Sequence, residues 1–302
     1  MYAAGRPASR RPAARATRPG TVAQAAAGAI DTFTGVSGTA IAHRTWAPAS
    51  PHSVVVVLHG LGEHSGRYTA LAGDLNAAGY AVCALDHRGH GESGGQRVGF
   101  DRFDDLVDDV ATLVADVRRR FPLPLFVLGH SFGGLVALRY VTRDHPDIAG
   151  LVLSGTAASV PKTVSPITVL AGKTLSLVAP SVGVLTLPLD KISKDPAVVA
   201  AYNADPLVTR RKVRARVGAE MLKVMAQVDD ALPSLRVPTL IMHGGADVIT
   251  TPDSSRLIHE HLGSTDKQLV IYDGLYHEIF NEPERGEVIA SVIAWLNAHR
   301  PS

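Results

Sequence analysis

What this sequence lacks already removes several classes of function. One cysteine, Cys83, stands in 302 residues, so an internal disulfide is excluded. It falls in the apolar run AVCAL and reads as a buried core thiol rather than a reactive one. There is no H-E-x-x-H motif and no ligating cysteine pair. His59, His64, His87 and His90 only imitate ligand spacing, and no metal site is expected. Charge is also scarce, at 19% of residues with a net +2. Arg6, Arg10, Arg11, Arg15 and Arg18 lie in the first 20 residues, which contain no acid. With those five set aside, +2 becomes −3, and nothing suggests a nucleic-acid surface. No run of about 20 uninterrupted apolar residues is present, so a membrane span is not expected.

The first thirty residues are rich in Arg, Ala and Pro, but only the short, weakly apolar TVAQAAAGAI follows the charges. A cleaved signal needs a stronger apolar segment. Residues 1–31 are therefore expected to be a disordered extension, and residues 32–302 a folded domain. A hydrophobic content of 46% is ample for a sizeable core.

From Thr32 to Pro48 the pattern suggests two short strands around a glycine turn. Apolar strand runs then alternate with helical patterns. SVVVVLHG, AVCALD, LPLFVLGH, GLVLSG, PTLIMHG and QLVIYD read as strands. Residues 103–121 place Leu106, Val107, Val110, Leu113, Val114 and Val117 at helical spacing. Near-continuous apolar strands alternating with helices predict a mostly parallel sheet covered on both faces. Between about 156 and 235 the rhythm breaks with no strand signal, which predicts an inserted helical subdomain. Its stretch VSPITVLAGKTLSLVAPSVGVLTLPL carries one charge, Lys173. Either it is a buried helical pair, or it is an apolar cap over a pocket. No internal repeat is visible.

Residues 129–134 read GHSFGG, between LPLFVL and LVALRYV. G-x-S-x-G alone is a modest signal. On a sharp strand-to-helix turn it gains force, because that turn holds Ser131 outward as a nucleophile. A serine hydroxyl needs a base, and the base needs an orienting carboxylate. Asp247 in GGADVIT and His277 in GLYHE each follow an apolar strand, so all three residues are expected at one edge of the sheet. Asp273 and Glu278 are competing acids, but both belong to the histidine's own loop. The oxyanion hole requires two backbone N–H groups. Phe132 and Leu61, the latter in HGLGEHSGRY, are the candidates.

HGLGEHSGRY, LDHRGHGESGG, GHSFGG, YNADPL, HGGADVIT and GLYHEIFNEPE together resemble the monoacylglycerol lipase family, within the lysophospholipase-like α/β-hydrolases. The resemblance runs from about Thr32 to Leu296, cap included. It implies an α/β-hydrolase fold with an inserted helical lid. It also implies cleavage of monoacylglycerol to glycerol and fatty acid, with Ser131, Asp247 and His277 as triad and no cofactor. Glu63, Arg67 and Tyr202 would then lie around the glycerol end of the pocket. For Glu63 and Arg67 an internal ion pair holding the oxyanion loop is an equal alternative. Two departures stand out: Phe132 replaces the family's usual methionine, and Phe280 replaces a histidine that some members carry. A broader carboxylesterase or lysophospholipase is the second reading, and a non-catalytic hydrolase-fold receptor the third. The expected partners are a lipid ester and, through an apolar cap, transient contact with lipid surfaces. The expected location is cytoplasmic or peripheral to a membrane.

Overall fold

In SVVVVL every residue is buried. β-branched side chains suit a pleated surface, and burial on both faces removes any polar alternation. This run is the centre of the sheet. The structure is a computed structural model that describes residues 28–159 and 174–301. Its strands are β1 (Ala29–Thr34), β2 (Ala40–Trp46), β3 (Ser53–Leu58), β4 (Tyr80–Leu85), β5 (Leu125–His130), β6 (Gly150–Ser154), β7 (Gly183–Leu185), β8 (Val213–Arg214), β9 (Thr239–Gly244) and β10 (Lys267–Tyr272). Eight of them form one sheet in the order β1-β2-β4-β3-β5-β6-β9-β10. β1 pairs antiparallel with β2, and β2 with β4. From β4 to β10 the pairing is parallel.

The pleat divides the central strands between two cores. Val54, Val56 and Leu58 face one, and Val55 and Val57 face the other. Helices α1 (Thr69–Ala77), α2 (Asp104–Arg120) and α3 (Phe132–Asp144) follow the strand-to-helix rhythm. α2 buries the six apolar residues expected from its spacing. It also places Asp104 and Asp105 at its start and Arg118, Arg119 and Arg120 at its end, matching the helix dipole. Cys83 is buried in β4, and burial pushes its thiol up to about 11.

Two boundaries differ from the sequence reading. β1 begins at Ala29, ahead of Thr32, and pairs along its full length with β2; the remainder of the proposed extension, residues 1–27, lies outside the described residues. The interval read as an insertion up to about 235 also holds a helix of the main layers. α4 (Pro196–Ala204) lies within it, but α5 (Ala215–Ala231) packs on α3. Val217, Val224 and Val228 of α5 join the same core as β3. A helix-spaced stripe was present there, and the missing strand rhythm masked it. The interval also holds two short strands, β7 and β8, which pair antiparallel. Of the low-charge stretch, residues 164–173 lie outside the described residues. α6 (Pro252–His261) and α7 (Arg285–Ala298) complete the helical layers. Among the described residues no helix is long and apolar enough to cross a membrane.

Parallel pairing brings the C-terminal ends of β3, β5, β6, β9 and β10 to one edge. The chain leaves β3 toward β4 on one side and returns to β5 on the other. Loops following β3 and β5 therefore diverge and open a crevice between them, where open α/β sheets bind ligands.

Candidate active site

β5 ends at His130 and α3 begins at Phe132, leaving one residue for the turn. That residue, Ser131, has φ +54° and ψ −117°. Such a backbone costs a non-glycine residue about 1–3 kcal/mol and persists only when its surroundings enforce it. Here the Ser131 N–H donates to Ser154 O at 2.8 Å, and Ser131 O accepts from Gly134 N at 3.0 Å and Ala157 N at 3.2 Å. The glycines make the crossing possible. A Cβ at Gly133 would stand 2.1 Å from Leu58 O, and one at Gly129 2.6 Å from Gly133 O.

Asp247 lies three residues past β9, and His277 five past β10. His277 Nδ1 and Asp247 Oδ2 are 2.6 Å apart. The other Asp247 oxygen accepts from Ile249 N at 2.8 Å and Thr250 N at 3.1 Å. Burial alone would raise the Asp247 pKa, but the His277 charge and hydrogen bonds from His243 and His277 hold it well below the usual carboxylate range. His277 moves the other way. Burial opposes its charge, and the Asp247 carboxylate outweighs that and raises its pKa. Since Nδ1–H serves Asp247, Nε2 of a neutral His277 carries the free lone pair. Ser131 and His277 line one cavity with Leu61, Glu63, Tyr202, Leu187, Leu189, Ile192 and Ile249.

Phe132 is the first residue of α3, so its N–H has no intrahelical acceptor. Leu61 lies on the loop after β3, and that loop is fixed by Glu63. Glu63 Oε1 accepts from Gly60 N at 2.6 Å and from the Tyr68 hydroxyl at 2.8 Å. Arg67 Nη1 donates to Glu63 Oε2 and to Glu278 Oε1, each at 2.6 Å, while Nη2 reaches Glu278 Oε2 at 2.7 Å. The guanidinium stacks over the Tyr202 ring at 4.5 Å. Burial would raise the Glu63 pKa, but Arg67 and two nearby histidines bring it down to about 2. Glu63 and Arg67 thus form the internal ion pair that was one of their two expected roles. Glu63 and Tyr202 also face the Ser131 cavity. Arg67 lines a neighbouring cavity with Tyr68, His130, Phe280 and Asn281.

The profile of the serine aminopeptidase S33 family (Hydrolase_4) matches residues 49–284. The chain belongs to this family. The monoacylglycerol lipase of Mycolicibacterium smegmatis is 41% identical over 269 residues, 88% of this chain and 96% of that protein. Human monoglyceride lipase is 36% identical over 259 residues, 84% of this chain and 86% of that one. Among solved structures, the monoacylglycerol lipase of Paleococcus ferrophilus superposes with a TM-score of 0.78 at 32% identity, covering 86% of this chain and 99% of that one. The fold is that of an α/β-hydrolase.

Within this family member, Phe132 leaves the pocket alone. Its ring is buried among Phe100, Phe103, His87 and His90, with centroids 5.6–6.4 Å away, and it does not line the Ser131 cavity. His59 braces the loop after β3. Its Nδ1–H donates to Gly60 O at 2.7 Å, leaving Nε2 to accept from His87 N at 2.9 Å. Sequence reading missed His243 and Thr250. His243 Nε2–H lies 2.7 Å from Thr250 O and 3.1 Å from Asp247 Oδ2. The Thr250 hydroxyl lies 3.0 Å from Asp247 Oδ2 and 3.2 Å from His277 Nδ1. Both flank the acid in the quoted HGGADVIT, the one signal that was available. Glu278 is the third omission as a structural partner, since only the fold brings it to Arg67.

Proposed function

We propose that this chain hydrolyses monoacylglycerol to glycerol and a free fatty acid through an acyl-enzyme. The observation that carries this reading is the buried Asp247–His277 pair, whose histidine shares a cavity with the strained Ser131. The names of its relatives support the substrate class.

Ser131 Oγ attacks the ester carbonyl while His277 Nε2 takes its proton, and Asp247 stabilises the resulting imidazolium. The carbonyl oxygen becomes an oxyanion facing the N–H groups of Leu61 and Phe132. Collapse breaks the ester C–O bond. Glycerol leaves with the proton returned by His277, and the acyl group stays on Ser131. Water then attacks that acyl group, again giving its proton to His277, and the fatty acid departs as Ser131 recovers its hydrogen. Leu187, Leu189, Ile192 and Ile249 give the acyl chain an apolar wall. Glu63 and Tyr202 offer polar groups on the glycerol side.

The cap bears Leu177 and Val178 at 76% and 77% exposure, with Val182, Val184 and Leu185 also exposed nearby. This apolar patch supports transient contact with a lipid surface.

Ser131→Ala is the primary test. It should abolish turnover of monoolein and of p-nitrophenyl esters, and a variant with near-normal turnover would overturn the mechanism. Monoolein preferred over lysophosphatidylcholine and short esters supports the monoacylglycerol assignment. The opposite order favours the broader esterase.

A further inference from the structure

Glu282 is five residues beyond His277, 1% exposed, and has no part in the chemistry above. Among the described residues no lysine or arginine forms a salt bridge with it; Lys194, whose ammonium its charge favours, pairs with Glu284 instead. A buried carboxylate without a cation needs several hydrogen-bond donors to remain there. Glu282 finds them on two separate parts of the molecule. From the histidine loop, Tyr276 N–H donates to Oε1 at 2.7 Å. From the insertion, the Ser193 hydroxyl donates to Oε2 at 2.9 Å, and Lys194 N–H lies 3.1 Å from Oε2 and 3.3 Å from Oε1.

Both partners adjoin the site. Tyr276 immediately precedes His277, and Ser193 immediately follows Ile192, which lines the Ser131 cavity. A parallel backbone bond runs between the same two segments, from Glu278 N–H to Ile192 O at 2.7 Å. The next residue of the insertion is held too, because Ser193 Oγ accepts from Asp195 N at 3.0 Å. One carboxylate therefore closes a clasp between the loop that carries the base and the segment that walls the pocket.

We infer that Glu282 is a positioning residue that sets the His277 loop and the 189–195 wall in register over Ser131. Its kinetic consequences rest on the proposed roles of Ser131 and His277; its structural consequence does not. Glutamine at 282 keeps one acceptor oxygen but turns an NH₂ group toward one set of donors. Whichever set that is, the tie between the two segments is cut, so both lose the partner that held them, without the space being emptied.

The test compares wild type, Glu282→Gln and Ser193→Ala by hydrogen-exchange mass spectrometry and by kinetics on monoolein and a short p-nitrophenyl ester. In Glu282→Gln, amides in 189–195 and 274–281 should both exchange about tenfold faster, as loss of one charged hydrogen bond implies. kcat should fall on both esters, and the acid limb of kcat/KM should move, a readout that a role in stability alone would leave in place. Ser193→Ala should speed exchange in 189–195 and raise KM for monoolein. It keeps the inference testable should Glu282→Gln fail to fold. A folded Glu282→Gln that loosens only one segment, or keeps wild-type constants and pH profile on an active enzyme, overturns the inference. So does a Ser193→Ala indistinguishable from wild type in exchange. If both segments loosen together in a chain whose wild type cleaves no ester, the clasp stands and the hydrolase reading falls.

Discussion

Asp247 Oδ2 stands 2.6 Å from His277 Nδ1, with the two side chains 0% and 7% exposed. In so dry a setting the carboxylate holds one tautomer of the imidazole and favours its charged form. Asp247→Asn should keep the fold and lower kcat by about 10⁴-fold, the order found when a triad acid is neutralised. Steady-state rates on a p-nitrophenyl ester check this. A loss of less than about tenfold would assign the acid's role elsewhere.

The same pair sets the pH profile. In the proposed mechanism His277 acts as a base only when neutral, and its pKa is raised. The acid limb of kcat/KM should therefore have its midpoint above about 6.5, the ordinary imidazole value. In Asp247→Asn the midpoint should drop. A folded pKa above the unfolded one also means the native state binds the proton more tightly. The stability gained from charged His277 is full below the unfolded value and disappears as pH rises through the folded one. Kinetic pH profiles of the two proteins decide the first point, and denaturant melts across the same range the second.

Glu63 carries the opposite sign. Its carboxylate is depressed to about 2, so its stabilising contribution is present above about 4.3 and is lost as pH falls toward 2. Glu63→Gln should cost about 3 kcal/mol near neutral pH, since Arg67 loses one of two buried partners. It should also flatten the decline in stability between pH about 4.5 and about 2. Chemical denaturation at several pH values measures both effects.

Phe132→Met restores the residue that the resemblance leads one to expect. Because the ring packs away from the cavity, the acyl-chain preference should stay unchanged. Stability should fall by about 1 kcal/mol, as for a volume-conserving core swap. Rates on a chain-length series of monoacylglycerols are the check. A shifted optimum would mean that the side chain reaches the acyl group.

Leu177→Ser combined with Val178→Ser removes the two most exposed large apolar side chains among the described residues, both in the proposed cap. Vesicle affinity should drop about tenfold or more, while hydrolysis of a soluble short ester is retained. Flotation with phosphatidylcholine vesicles reads out the first effect. Unchanged flotation would exclude this patch as the contact.

Much of this arrangement is legible in the sequence alone. The strand runs were readable because parallel strands buried on both faces have no reason to carry polar residues, and α2 because its six apolar residues repeat at helical spacing. GHSFGG was readable because the backbone crossing at Ser131 has room for glycine alone at 129 and 133. The extent of the insertion was not. The residues of α5 say only that one face is apolar. Whether that face meets a cap or the sheet depends on where α3 lies, and no local pattern records that.

The sequence by itself determined the alternation of strands and helices, the strand-to-helix turn at Ser131, and the chain order of Ser131, Asp247 and His277. Each of these follows from local sterics or from hydrophobic periodicity. Only the tertiary structure decided that Arg67 joins Glu63 to Glu278 across 211 positions of chain, that the Phe132 ring turns into the core, and that Glu282 ties the histidine loop to the insertion. Those contacts depend on the distance between sheet-edge loops, which is set by strand order and register.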